Sequence, residues 1–279
     1  MRELIAVVLA ALSASMYSLA TSLQALEARE VPASEALRAS LIARLIRRPL
    51  WLAGTAAGIV AWPLQAVALA FGSVALVMPA LGFGLIVLLV LGVRVLHERI
   101  GVREIGGAVA IVGAVAILGF AAPADSGTFT TTGTWLIVLS LFVVAPAPYL
   151  LRVMHHAGGL PTAVAAGFGW AWVGFGTAAL DHELADRHWL LLLAWGAAVA
   201  VASWGALLSE MTSLQTWTAT RAIPVAFGIE MVLPAALAPF LTNASPRHAV
   251  AFAAALVLAV AGAVVLGTSR AVGRAAAAA

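Results

Sequence analysis

"RAIPVAFGIEMVLPAALAPF" (221–240) is apolar enough to lie in a membrane, except that it carries Arg221, Glu230 and the prolines Pro224, Pro234 and Pro239. A carboxylate and three residues that cannot donate a helical hydrogen bond need a reason to be there. An earlier stretch supplies part of it. Setting "LVMPALGFG" (76–84) against "RAIPVAFGI" (221–229) aligns Pro79 with Pro224, and the same shift pairs Gln65 with Glu210. The chain therefore reads as two related halves, with an apolar, proline-bearing helix in each.

Composition fixes the class in which those helices work. Hydrophobic residues make up 63% of the 279 positions and charged residues 10%, and the mean hydropathy is +1.05. That is far from the soluble range of about 45–50% apolar and about 25% charged. All fifteen basic residues are arginine, so a P-loop lysine and lysine Schiff-base chemistry are excluded. With no cysteine there are no disulfides, thiolate metal sites or iron–sulfur clusters. The pI of about 10.5 does not point to nucleic acid, because the arginines cluster at the ends of apolar runs, where an orientation signal belongs.

A membrane span needs about 20 apolar residues. Windows of that size give spans near 4–24, 50–71, 74–95, 102–121, 134–153, 161–180, 189–209, 214–241 and 249–268. The first is longer than a signal-peptide core and reads as an uncleaved helix. Region 31–48, "VPASEALRASLIARLIRR", is interrupted by Glu35, Arg38 and Arg44, whose side chains could snorkel to give a short tenth span. With ten spans and an inside N-terminus, Arg2, Arg44, Arg47, Arg48, Arg94, Arg99, Arg103, Arg152, Arg270 and Arg274 fall inside, and Arg29, Arg187 and Arg247 fall outside. Nine spans and an outside N-terminus fit the arginine bias equally well. The repeat selects ten, because the first half matches the second only if 31–48 counts as a span. Five spans per half would turn the second copy over in the membrane. The expected fold is thus an all-α integral membrane protein with ten transmembrane helices in two inverted five-helix repeats, 1–121 and 134–279, joined by an external linker at 122–133. Broken helices meeting near the midplane are where transporters of that design bind their substrates.

"VALAFGSVALVMPALGFGLIVLLVLGVRVLHERIGVREIGGAVAIVGAVAILG" (67–119) resembles the fourth and fifth helices of the drug/metabolite transporter superfamily, of the EamA-type permeases. It has the apolar run, the mid-helix proline, a terminal "HERI" where Gly-Glu-Arg is usual, and a glycine-rich closing helix. "TATRAIPVAFGIEMVLPAALAPF" (218–240) is similar to the ninth helix of that fold, while "LTNASPRHAV" (241–250) lacks the acidic-basic end motif. The resemblance implies a multi-pass protein of the inner cell membrane, both termini cytoplasmic, a cavity lined by helices 1, 3, 4, 6, 8 and 9, and room for a homodimer. The 67–119 stretch also resembles the NIPA-like magnesium transporters of the same superfamily.

Glu230 is the leading site candidate. An ionised carboxylate at mid-span costs about 2.5–3.5 kcal/mol on insertion scales, so it should face protein or water. Pro234 removes the helical bond that the Glu230 carbonyl would accept, which puts carboxylate and freed carbonyl on one patch suited to a proton, a cation or an amine. Pro224 and Pro79 free the carbonyls of Thr220 and Ala75 in the same way, and all three prolines are expected to break their helices. Arg221 could contact substrate or Glu210, or snorkel. Glu210 and its repeat partner Gln65 are cavity candidates. Ser13, Tyr17, Thr21 and Gln24 form a polar stripe on the first helix, readable as cavity lining or as interhelical bonding. Trp62 and Trp204, on repeat-related helices, are candidates for an aromatic wall.

Asp181, His182, Glu183, Asp186 and His188 are metal-ligand types, but without a second motif they read as a solvated loop, and no metal or other cofactor is expected. All six histidines fall in loops or at helix ends, so a nucleophile with a base at depth is missing and an enzyme is not expected. A purely structural membrane partner would need neither the repeat nor Glu230. Secondary active transport of a small metabolite or drug, proton-coupled and outward, explains both, with transport of magnesium or another divalent cation as the alternative. The expected partners are a small-molecule or ionic substrate and the lipid bilayer, with no nucleic acid.

Overall fold

The computed structural model describes residues 2–71, 74–121, 129–242 and 245–268. Among them there are helices and no strands: α1 (Arg2–Arg29), a 3-10 turn (Ala33–Glu35), α2 (Ala39–Leu45), α3 (Pro49–Phe71), α4 (Val74–Arg94), α5 (Val102–Ala121), α6 (Thr131–Val144), α7 (Ala147–Val153), α8 (Gly159–Ala185), α9 (Trp189–Thr216), α10 (Ala219–Leu241) and α11 (Ala249–Thr268). Their starts follow from local chemistry. Pro49 opens α3, where its missing N–H is no loss. The Thr130 hydroxyl accepts from the Gly133 N–H at 2.9 Å to cap α6. Glu104 reaches back to the Gly101 N–H at 2.9 Å, the carboxylate half of a capping box for α5.

Eight stretches are long and apolar enough to cross a membrane, with α6 and α7 together forming one of them, and α4 adds a further apolar helix. The fold is that of a helical membrane protein. Region 31–48 is not a span. α2 has seven residues, about 10 Å of helix against the roughly 30 Å needed. It lies along one end of the bundle, with Leu37, Leu41, Ile42 and Leu45 buried against the bundle and Arg38, Arg44 and Arg47 exposed. Backbone contacts tether it to α9: the Leu37 N–H donates to Thr212 Oγ1 at 3.0 Å, and Gln215 Nε2 donates to the Val31 carbonyl at 2.9 Å. Glu35 pairs with Arg44 at 2.9 Å and accepts from the Ser40 hydroxyl. That hydroxyl first, and Arg44 second, hold the Glu35 carboxyl below its ordinary range.

The first half therefore holds four long helices, where five were expected, and the ends rearrange accordingly. Glu98, just past α4, binds Arg29 at the end of α1 and the first N–H groups of α10, while Arg221 at the start of α10 binds the Leu266 carbonyl near the end of α11. The C-terminal ends of α1 and α11 thus share a face. At about 42 Å, the 28-residue α1 starts at the opposite one. The two described ends of the chain lie on opposite faces, which corrects the expectation that both share one. The same change moves Arg29 to the face that carries Arg38, Arg44, Arg47, Arg48, Arg94, Arg99, Arg103 and Arg152, and leaves Arg2, Arg187 and Arg247 at the other.

The most extensive packing joins α1 to α3 and α4, α8 to α9 and α10, and α5 to α11. α5 and α11 run antiparallel: Gly107, early in α5, meets Gly262, late in α11, and the Arg247 N–H donates to the Ala121 carbonyl at 3.0 Å at the other end. A Cβ on Gly107 would stand 3.0 Å from the Gly262 carbonyl oxygen, and one on Gly262 would stand 2.9 Å from the Gly107 oxygen. Only glycine lets these backbones meet so closely.

The expected helix breaks also need correcting. α10 is continuous through Pro224 and Pro234, and α4 is continuous through Pro79. Each proline deletes one hydrogen bond, but the bonds on either side and the packed neighbours keep the helix wound. The break falls at Ala145–Pro146 instead, where α6 ends and α7 begins, and Pro146 and Pro148 both lack the N–H that would bridge the gap. Cysteine labelling tests the odd number of crossings, since the native chain has no cysteine. Ala33→Cys and Thr268→Cys are expected to react from the same side of the membrane and Glu3→Cys from the other. Opposite reactivity of Ala33→Cys and Thr268→Cys would overturn it.

Candidate functional site

Four helices that start or end at the arginine-rich face bring a polar cluster to similar depth. At 1.5 Å per residue, Glu230 stands about 16 Å along α10 from Ala219, Tyr17 about 18 Å back along α1 from Arg29, and Trp170 about 16 Å along α8 from Gly159. Glu210 is shallower, about 9 Å from the end of α9 at Thr216. Trp170 Nε1 donates to Glu210 Oε2 at 2.7 Å. Glu230 is close enough to interact electrostatically with both Tyr17 and Glu210. Both carboxylates are half-buried among protein groups.

The approach of α8 to its neighbours explains why Trp170 reaches Glu210. A Cβ on Gly169 would stand 2.7 Å from the Ala206 Cβ, and one on Gly167 would stand 2.8 Å from the Ala226 carbonyl oxygen, so both α9 and α10 lie against the α8 backbone. Two carboxylates within electrostatic reach of each other, contributed by α9 and α10, can share a cation or a proton as a common ligand. The Tyr17 hydroxyl makes no hydrogen bond to a described residue and remains available to a third group. Trp170 is the site residue the sequence reading missed: "AAGFGWAWVGFG" (165–176) advertises glycine packing, and the indole sits inside that signal.

The remaining candidates separate. Arg221 belongs to a structural clasp: its guanidinium donates to the Leu266 carbonyl from Nε and Nη2, both at 3.2 Å, and lies 4.2 Å over the Trp217 ring, within the field of Glu104. A cation at the open C-terminal carbonyls of α11 is favourable there. Its described contacts lie at the end of α11 and on Trp217, and not at Glu210. Trp62 is 64% exposed on α3, and Trp204, 37% exposed, donates to the Tyr149 hydroxyl at 2.9 Å, so both face outward and form no interior wall. Gln65 is half-buried on α3 with no hydrogen bond to a described residue. The first-helix stripe divides: Ser13 Oγ donates to the Ala61 carbonyl at 2.7 Å and Gln24 Nε2 to Thr55 Oγ1 at 3.3 Å, which is packing against α3, whereas Tyr17 lies within electrostatic reach of Glu230. Residues 181–185, expected in a loop, are the last turn of α8, and around that helix end His188 pairs with Glu183 at 2.9 Å and His182 with Asp186 at 3.6 Å.

Glu98, the acid of "HERI", is buried with its carboxylate on the N–H groups of Ala219 (2.7 Å) and Thr220 (3.0 Å), on the Thr220 hydroxyl and on Arg29. Gly92 makes room, since a Cβ there would stand 2.2 Å from Thr220 Cγ2. No family model, no curated protein and no solved structure matches this chain.

The Trp170–Glu210 bond is open to a double-mutant cycle. Trp170→Phe is expected to lower stability in detergent by about 1.5–3 kcal/mol, the range for a hydrogen bond to a charged group. In a Glu210→Gln background the same change is expected to cost clearly less. Equal costs in both backgrounds would show that the contact carries no energy.

Proposed function

We propose that the chain is a secondary active transporter of a small metabolite or drug, coupled to protons and working outward by alternating access, with Glu230, Glu210, Trp170 and Tyr17 as its site. The observation that carries the reading is the pair of interior carboxylates, contributed by two helices and flanked by side chains from two more. Intramembrane acids of this kind mark proton and ion pathways. A structural membrane partner has no use for them, and among the described residues no nucleophile and base accompany them that would suit catalysis.

The architecture supports the same reading. We take α1, α3, α4 and α5 as one four-helix unit and α8 to α11 as its inverted copy, with α6 and α7 as a linking span between them. The matching helix pairs, the antiparallel α5 and α11, and the alignment of 76–84 with 221–229 all support this arrangement. The resemblance of 67–119 and 218–240 to the drug/metabolite transporters supports the transport class, while the four-helix units depart from the five-helix repeats it implied. The arginine bias supports a cell-membrane topology with the start of the chain outside and its end in the cytoplasm.

Transport of magnesium or another divalent cation is the second reading. The electrostatic proximity of Glu210 and Glu230 favours it, because Mg²⁺ is held through one or two carboxylates with waters retained.

Purified protein in proteoliposomes, assayed against a metabolite panel with and without an imposed pH gradient and separately with a trapped Mg²⁺ indicator, distinguishes the two. Glu230→Gln keeps size and hydrogen bonding but removes the titratable charge. It is expected to abolish gradient-driven transport while leaving a folded protein, since a neutral amide is cheaper than a carboxylate at that depth. Full transport by well-expressed Glu230→Gln would sink the site assignment, and Mg²⁺ entry without any proton dependence would select the second reading.

A further inference from the structure

The linking span offers a different site on the outer surface of the bundle. Beyond its break at Pro146, α7 and the residues after it border a cavity of about 430 Å³ lined by Tyr149, Arg152, Val153 and His155. The Arg152 and His155 side chains are exposed and make no hydrogen bond to a described residue. The Tyr149 hydroxyl accepts from Trp204 Nε1 at 2.9 Å, so its own proton is left to donate. Three donors without a protein acceptor, two of them able to carry positive charge, therefore surround one cavity. The charged pair stands at the arginine-rich end of the span, and the Tyr149–Trp204 pair lies deeper.

We propose that this cavity binds an anionic phospholipid of the adjoining leaflet, its phosphate on Arg152, His155 and the Tyr149 hydroxyl and the first part of an acyl chain along Val153 and the Trp204 ring. Charge and depth select this occupant. A free phosphate would satisfy the donors but leave the apolar wall bare, and a neutral lipid would leave the guanidinium without an anion. The order along the span suits a glycerophospholipid at an interface, with the charged donors and Val153 at the headgroup end and an amphipathic aromatic pair deeper. The inference does not rest on the transport reading, because no residue of the carboxylate cluster takes part.

Native mass spectrometry of the whole protein after exchange into mixed phosphatidylglycerol and phosphatidylcholine tests it. Wild type is expected to retain phosphatidylglycerol over phosphatidylcholine. The Arg152→Ala/His155→Ala variant is expected to lose that retention by about tenfold, as for the loss of a charge-assisted hydrogen bond. Arg152→Lys is expected to keep most of it, which separates lost binding from lost folding. A parallel titration with glycerol phosphate, which has the phosphate without the chain, is expected to leave the thermal stability unchanged. Equal retention of the two lipids by wild type, equal phosphatidylglycerol retention by wild type and the double variant, stabilisation by glycerol phosphate alone, or a dimer that forms in place of the lipid adduct would each overturn the proposal.

Discussion

The bundle is drawn together at one end by the carboxylate of Glu98. The first N–H groups of α10 have no partners within their own helix, and a negative charge on them is favourable by hydrogen bonding and by the helix dipole. The Arg29 guanidinium on the same carboxylate brings in α1. One buried acid thus fixes the relative positions of α1, α4 and α10, two of which carry residues of the polar cluster. Removing one partner of a buried, hydrogen-bonded charge pair costs about 3–5 kcal/mol, so this contact weighs heavily in the fold. Arg221 does the converse nearby, with a cation on the carbonyl end of α11. The two contacts, one anion and one cation, meet the backbone demands of helices that end side by side.

From that end the helices run inward and deliver Glu230, Tyr17 and Trp170 to similar depth. The depth is a consequence of helix geometry and of where each helix is anchored. Glycine-mediated closeness does the rest, since without the contacts at Gly167 and Gly169 the Trp170 indole would not meet Glu210. The polar side chains come from one helix of the first half and three of the second. The cluster is lopsided, although the helices that carry it are arranged evenly.

Much of this is legible in the chain. The alignment of Pro79 with Pro224 places the starts of α4 and α10 in register and also the ends of α3 and α9, because the shift reflects a real spacing of helices. Glu230 and Glu210 stand out because acids in apolar runs are rare. The count of spans goes wrong at 31–48, where Leu37, Leu41, Ile42 and Leu45 raise the local hydropathy but line one side of a short surface helix. A window average cannot tell that arrangement from a crossing. The prolines mislead for a related reason: a missing hydrogen bond is certain from the sequence, but whether the helix parts there depends on how the neighbours hold it, and they hold α10 while letting α6 and α7 separate. Arg221 and Trp170 were undecidable because their partners, the Leu266 carbonyl and Glu210, lie on other helices.

The span made of α6 and α7 packs less extensively on the rest of the bundle than any other long helix. Its weight lies in biosynthesis. Four crossings return the chain to the side on which it began, so without a further crossing α11 would run parallel to α5 and not antiparallel to it. One additional crossing reverses the direction in which everything downstream is threaded into the bilayer. A helix that adds little to the finished core thereby decides, while the chain is still being made, which way up its second half will stand.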